Sequence, residues 1–138
     1  MKYILLVVFL LNFVTVGFCG EKATGIASFY GREACRYNKT KACLTADGSS
    51  LYKLEYELEL FAASWYYPLG SKVMVTNLEN NKSVVVVIRD RGPAKRLHRQ
   101  IDLGEYAFKL LSDKSKGIIK VRITPMQLLQ TRKANCGI

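Results

Sequence analysis

Val73-Met74-Val75-Thr76-Asn77-Leu78, then Glu79-Asn80-Asn81-Lys82, then Ser83-Val84-Val85-Val86-Val87-Ile88: two β-branched runs stand either side of four polar residues with adjacent asparagines. Valine-rich runs suit a pleated surface and asparagine tolerates the left-handed backbone of a tight turn, so the stretch reads as a β-hairpin. Val84 to Ile88 is apolar at every position, which predicts a strand buried on both faces, as in a barrel wall or a covered sheet. Arg89-Asp90-Arg91-Gly92-Pro93 breaks it abruptly and leaves a carboxylate at the strand's end.

The flanks continue the pattern. Upstream, Gly25 to Gly31 alternates apolar and small residues between glycines, as a strand does, and residues 32–50 are polar with an Asp47-Gly48 turn signal. Lys53 to Leu60 alternates Leu54, Tyr56, Leu58 and Leu60 with Glu55, Glu57 and Glu59, a period of two that predicts a half-buried strand with an acidic outer edge. Phe61-Ala62-Ala63-Ser64-Trp65 follows, then a turn at Pro68-Leu69-Gly70. Downstream, one helix is expected: Asp102 as its N-cap, Glu105 as capping-box partner, an apolar face of Tyr106, Phe108, Leu110 and Leu111, and a stop at Lys114, Lys116 and Gly117. Ile118 to Ile123 reads as the last strand, ended by Pro125. Many short strands in about a hundred residues favour a closed barrel, which removes unpaired edges.

The domain is expected over residues 24–125, with 1–19 as a signal peptide and 126–138 as a tail. Lys2 precedes an apolar run from Tyr3 to Phe18, shorter than the roughly 20 residues of a membrane span. Gly17, Cys19 and Gly20 are small enough for an ordinary signal peptidase; Cys19 also allows a lipoprotein reading, although the bulky Phe18 precedes it. Export into an oxidising compartment makes a Cys35–Cys43 bridge reasonable, worth roughly 2–3 kcal/mol in the chain-entropy model, with free thiols as the alternative. Cys136 has no obvious partner. A single histidine and no CxxC argue against a metal site, and no cofactor is expected. The formal charge of +10 would attract a polyanion, but an exported chain without a nucleic-acid motif points to anionic wall material, or simply to a soluble basic surface, rather than to nucleic acid.

Four segments, in this order, resemble the RlpA (rare lipoprotein A) family: Gly25-Ile26-Ala27-Ser28-Phe29-Tyr30-Gly31; Thr45-Ala46-Asp47-Gly48; Pro68-Leu69-Gly70 through Thr76-Asn77-Leu78; and Asp90-Arg91-Gly92-Pro93 with Ile101-Asp102-Leu103. Expansins are looser cousins. The resemblance implies a mainly β fold, a six-stranded double-psi β-barrel with one or two short helices, and a monomer in the periplasm, cell envelope or medium. Membrane attachment would require lipidation of Cys19. It implies a lytic transglycosylase acting on peptidoglycan glycan strands: the muramic acid 6-hydroxyl closes onto the anomeric carbon and leaves a 1,6-anhydro end.

Such a cleavage needs a carboxyl group that protonates the departing oxygen, with a pKa raised toward working pH. Asp90, in the family's Asp-Arg-Gly-Pro motif, is the first choice for the acid/base, against a structural role on turn amides. Asp102 is the second, because expansin-type domains place a functional aspartate there, against its reading as a helix cap. The resemblance implies substrate contacts from Ser28, Tyr30, Thr45, Ser49, Ser64, Trp65 and Arg91. Trp65, Tyr66 and Tyr67 suit stacking on sugars, or equally a barrel core. The chain departs from the family twice: Ser49 stands where RlpA enzymes have a glutamate and Ser64 where they have a histidine. The segment between them is about four residues longer than usual, and Glu55, Glu57 and Glu59 read as an exposed face, His98 as a solvated loop residue. A non-catalytic, expansin-like glycan-binding module is therefore the alternative, and a secreted interaction protein using the barrel as scaffold a third.

Overall fold

The computed structural model describes residues 23–37 and 43–126, so the expected signal peptide, Cys19, Cys136 and the tail from residue 127 lie outside it. Six strands close on themselves: β1 (Ala23–Tyr30), β2 (Phe61–Ala63), β3 (Lys72–Asn77), β4 (Ser83–Asp90), β5 (Ile101–Gly104) and β6 (Ile119–Pro125), in the spatial order β1-β5-β2-β4-β3-β6. β1 pairs with β5 in parallel, as does β2 with β4, and the other contacts are antiparallel. Two short helices complete the fold, α1 (Leu51–Tyr56) and α2 (Glu105–Leu111). The mainly β, six-stranded double-psi barrel expected from the sequence is the architecture found.

The hairpin forms as its sequence dictates. Val73 faces Val86 and Val75 faces Val84 across β3 and β4, and Asn81 takes the left-handed conformation in the turn at φ 59°. Its asparagines also serve a neighbour: the Nδ2 groups of Asn77 and Asn80 both donate to the Leu111 carbonyl, 2.9 Å each, satisfying the last turn of α2. β4 is not buried on both faces. Val84, Val86 and Ile88 point into the core, whereas Val85 is 37% exposed, because no described residue covers that side of the barrel wall.

Two other expectations are corrected. Lys53 to Leu60 is no strand: α1 occupies its first half. Leu51 and Leu54, three residues apart and hence on one helical face, bury against Phe61 in a small cluster that Tyr30, Cys35 and Cys43 also touch. The helix ends in a Schellman turn, with Leu58 left-handed at φ 54°, its amide on the Glu55 carbonyl and the Glu59 amide on that of Leu54. The leucine–glutamate alternation thus runs across a helix end and its reversal. Nor does Asp102 cap a helix. It sits inside β5, whose backbone is paired on both sides, and Gly104 takes the cap position of α2. α2 ends at Leu111; Lys114–Lys116 is a separate 3-10 turn, with the Asp113 carboxylate accepting from the Ser115 amide at 2.7 Å.

The core is continuous through the barrel, and Ala107, Phe108 and Leu111 of α2 pack into it. Where β5 passes into α2, a Cβ on Gly104 would lie 2.6 Å from Cε1 of Phe61, a ring that is itself 1% exposed. Neither partner can retreat. Gly104→Ala is therefore expected to lower the unfolding free energy by about 1–3 kcal/mol, as overpacking does; urea denaturation measures it, and an unchanged midpoint would show that the ring has room to move.

Candidate active site

β5 and β4 each carry one aspartate to the same side of the barrel, with β2 between them. Ala63 is in register with Asp102 on one side and with Asp90 on the other. Two strand spacings put the two backbones about 10 Å apart. Asp90, Asp102 and Ala63 line one cleft of about 600 Å³ together with Tyr30, Arg91, Gly92, Pro93 and Ala94, and with Leu44, Leu51 and the Cys35–Cys43 disulfide. The bonded cysteines have Cα atoms 5.5 Å apart.

The two carboxyl groups sit in unlike surroundings. Asp90 Oδ1 accepts from the amides of Ala46, at 2.9 Å, and Arg91, at 2.8 Å, and Oδ2 accepts from the Tyr30 hydroxyl at 3.1 Å. All three partners donate to it. Burial, then the neighbouring Asp90, push the Tyr30 phenol far above its ordinary pKa, so it stays a donor. Asp102 is 8% exposed; its Oδ2 accepts from Arg99 at 3.1 Å, and its Oδ1 is buried with no hydrogen-bond partner among the described residues. Burial raises the Asp102 pKa above its usual value, and Arg99 only partly opposes this.

The other residues singled out from the sequence are dispersed. Arg91 lines the cleft, but its guanidinium donates to the carbonyls of Ser64, at 2.8 Å, and Tyr67, at 2.7 Å. Ser64 is fully buried, with its hydroxyl donating to the Gln100 carbonyl at 2.9 Å. Ser28 donates to the Gly117 carbonyl. Thr45 and Ser49 belong to the turn around Asp47, where the Thr45 hydroxyl and the Ser49 amide both donate to Asp47 Oδ1. Partial burial of Asp47 works against ionisation, yet these bonds and Arg89 hold its pKa down to about 2. Trp65 stands on the shoulder beyond the cleft, half exposed, its Nε1 donating to the Pro93 carbonyl and Lys95 Nζ 5.7 Å from its ring centroid. Glu55 accepts from the Arg32 amide, Glu59 pairs with Arg89, and His98 is exposed on its loop. Arg99 and Ala63 were not singled out. An arginine three residues before an aspartate was a legible signal; that Ala63 floors the space between two carboxyls depends on the β2 register and was not.

A family model described as lytic transglycolase matches residues 22–123. The chain belongs to that family. The endolytic peptidoglycan transglycosylase RlpA of Rickettsia typhi is 42% identical over 100 residues, covering 72% of this chain and 29% of its own length. Its namesake in Pasteurella multocida is 38% identical over 109 residues, covering 79% and 33%. The chain thus spans about a third of the length of these curated relatives. Among solved structures, apo expansin from Clavibacter michiganensis matches with a TM-score of 0.55 at 18% identity, over 76% of this chain and 50% of that one, which extends the shared barrel beyond the lytic transglycolase family.

Arg91 ties the Ser64–Tyr67 loop to the strand that carries Asp90. A lysine cannot reproduce two directed bonds from one planar head group, so Arg91→Lys is expected to lose about 1.5–3 kcal/mol of stability. Thermal and urea unfolding check it; a wild-type midpoint would mean that the loop holds itself.

Proposed function

We propose that this domain is a lytic transglycosylase of the cell envelope that cleaves peptidoglycan glycan strands without water and leaves 1,6-anhydro ends. The observation that carries the reading is the pairing, across Ala63 in one cleft, of a buried aspartate with one oxygen unpartnered among the described residues and an aspartate held by three donors. Membership of the lytic transglycolase family and the RlpA relatives support it.

In this reading Asp102 is the acid. Its carboxyl proton passes to the glycosidic oxygen as the bond to the anomeric carbon breaks, and the sugar develops oxocarbenium character. The same sugar's 6-hydroxyl oxygen bonds to the anomeric carbon, closing the anhydro ring. Asp90, oriented by Tyr30 and by the amides of Ala46 and Arg91, accepts the proton that this hydroxyl releases. Exchange with solvent restores both carboxyl groups. No water enters the product, so no third group is required to activate one.

A second reading, a glycan-binding module without catalysis, is favoured by one feature. Ser64, at the family's histidine position, is fully buried with its hydroxyl engaged, so it offers the cleft nothing in place of an imidazole. Product analysis separates the two. Purified glycan strands incubated with the protein are expected to yield 1,6-anhydro ends by mass spectrometry, and Asp102→Asn to slow their appearance by about 10²- to 10⁴-fold, the usual worth of a general acid. Asp90→Asn is expected to reduce it as well. Wild-type protein that sediments with sacculi yet makes no anhydro product would leave only the binding module.

The pH dependence follows from the direction of the Asp102 shift. The folded state binds a proton at Asp102 that the unfolded chain has already released, so this group's contribution to stability is largest at low pH and declines as pH rises through the raised pKa. Activity requires the same proton and falls as pH rises past the raised pKa of the folded state. Arg99→Met removes the opposing cation and is expected to move that alkaline limb to higher pH; a pH–rate profile of kcat measures it, and a limb unmoved by the change would rule out Asp102 as the acid.

A further inference from the structure

The loop that joins the two aspartates carries Arg91, Lys95, Arg96 and Arg99 between Asp90 and Asp102, and no acidic residue. Two of these cations are committed: Arg91 donates to the carbonyls of Ser64 and Tyr67, and Arg99 to the Asp102 carboxylate. Lys95 and Arg96 are exposed, and neither forms an ion pair among the described residues. Elsewhere carboxylates answer the surface cations, as Glu55 does Arg32, Glu105 both Lys109 and Lys114, and Glu79 Lys116. Lys72, Lys82, Lys120 and Arg122 also lack an ion pair there, but they belong to β3, β6 and the loop between β3 and β4, none of which lines the cleft.

The two uncommitted cations stand at the mouth of the cleft. Pro93 and Ala94 line it, and the 3-10 turn Lys95–Leu97 follows directly. Trp65 meets the turn there. Its indole is half exposed, its Nε1 donates to the Pro93 carbonyl at 2.8 Å, and Lys95 Nζ lies 5.7 Å from its ring centroid. A cation–π contact in solvent is weak and leaves the ammonium protons free to bind an acceptor.

An aromatic face beside two uncompensated cations is complementary to a sugar that bears a carboxylate. The pyranose ring meets the indole, and the carboxylate meets the Lys95 ammonium and the planar donor fork of Arg96. A neutral sugar leaves the cations unused, and a polyanion without rings leaves the indole unused. We propose that Trp65, Lys95 and Arg96 form a subsite for a carboxylate-bearing sugar of the glycan strand at the mouth of the reaction cleft. The inference rests on the glycan-strand reading of the cleft and deepens it: the strand is recognised by its negative charge as well as by its rings. In peptidoglycan that carboxylate is the lactyl group of muramic acid where the peptide is absent, and belongs to the stem peptide where it is present.

The test uses the full chain carrying Asp102→Asn, with binding measured by calorimetry against peptide-free glycan strands, peptide-bearing strands and neutral chitin oligosaccharides. Adding Lys95→Gln and Arg96→Gln is expected to weaken strand binding by about threefold to tenfold, as loss of two exposed ion pairs does. It should also flatten the salt dependence and leave binding of the chitin oligosaccharides unchanged. Trp65→Ala is expected to weaken charged and neutral probes alike, and Trp65→Phe to restore them, since a ring remains. Circular dichroism and the melting temperature of the glutamine variant should be those of the parent, because both side chains are exposed. A loss seen with peptide-free strands assigns the lactyl carboxylate, and one confined to peptide-bearing strands assigns the stem; either upholds the subsite. Equal affinity of parent and glutamine variant for both strands overturns it, and 1,6-anhydro product from the wild type then leaves the cleft reading intact. Binding of polyglutamate as tight as that of the strands and indifferent to Trp65→Ala also overturns it, as a basic surface that does not recognise sugar. Charge-dependent strand binding by a wild-type protein that never cleaves upholds the subsite and removes catalysis instead. A parent that binds neither kind of strand overturns the subsite.

Discussion

All four residues of β5 pair with β1 in parallel register, and two of them, Asp102 and Leu103, pair with β2 in antiparallel register as well, so the barrel closes through them. The site depends on this double pairing. It fixes Asp102 between Ser28 and Ala63, with Ile101 and Leu103 pointing into the core on either side of it. A side chain so placed is largely buried, and burial disfavours its charged form unless a cation is near. Arg99, three residues back on the entering loop, supplies one bond to Oδ2 and leaves Oδ1 without a described partner. One cation on a carboxylate that burial disfavours is incomplete compensation, so the Asp102 pKa stays above its usual value.

The parts legible in the sequence were those whose local pattern agrees with the structure that their neighbours impose. The β3–β4 hairpin showed itself through valines and adjacent asparagines, and the order of Gly25–Gly31, Thr45–Gly48 and Asp90–Pro93 carried the family and the barrel. The misreadings share one physical cause, a local pattern overruled by neighbours remote in sequence. Leu54, Tyr56, Leu58 and Leu60 alternate as a strand would, but Leu54 is drawn onto Phe61 as part of a helix, and Leu58 sits in the left-handed turn that reverses the chain. Asp102 followed by Glu105 has the spacing of a capping box, yet the amides it would serve lie beyond a strand that closes the barrel. Val85 belongs to an apolar run and still faces solvent.

For the candidate site, the sequence supplied both aspartates but not the difference between their surroundings. That difference is set by partners far along the chain: Tyr30, 60 positions from Asp90, and the Ala46 amide, 44 positions away. The positions that depart from the RlpA pattern are likewise intelligible only in three dimensions. Ser64 is at the join between β2 and the loop held by Arg91, where its hydroxyl bonds the backbone just before β5. A serine there stabilises the framework of the cleft rather than its chemistry.

The contrast between the two carboxyl groups bears on how far this chain can dispense with those family residues. Two acids in one cleft are useful only when their environments differ, since equal surroundings give equal proton affinities and no direction of transfer. Here the difference is built from backbone. Asp90 accepts two main-chain amides and a phenol that burial keeps protonated, and none of these can be lost through a single side-chain change except Tyr30. Asp102 owes its raised pKa to the closure of the barrel itself. Neither arrangement draws on Ser49 or Ser64, so the contrast in surroundings between the two carboxyl groups is present in a chain that lacks the glutamate and histidine of its family.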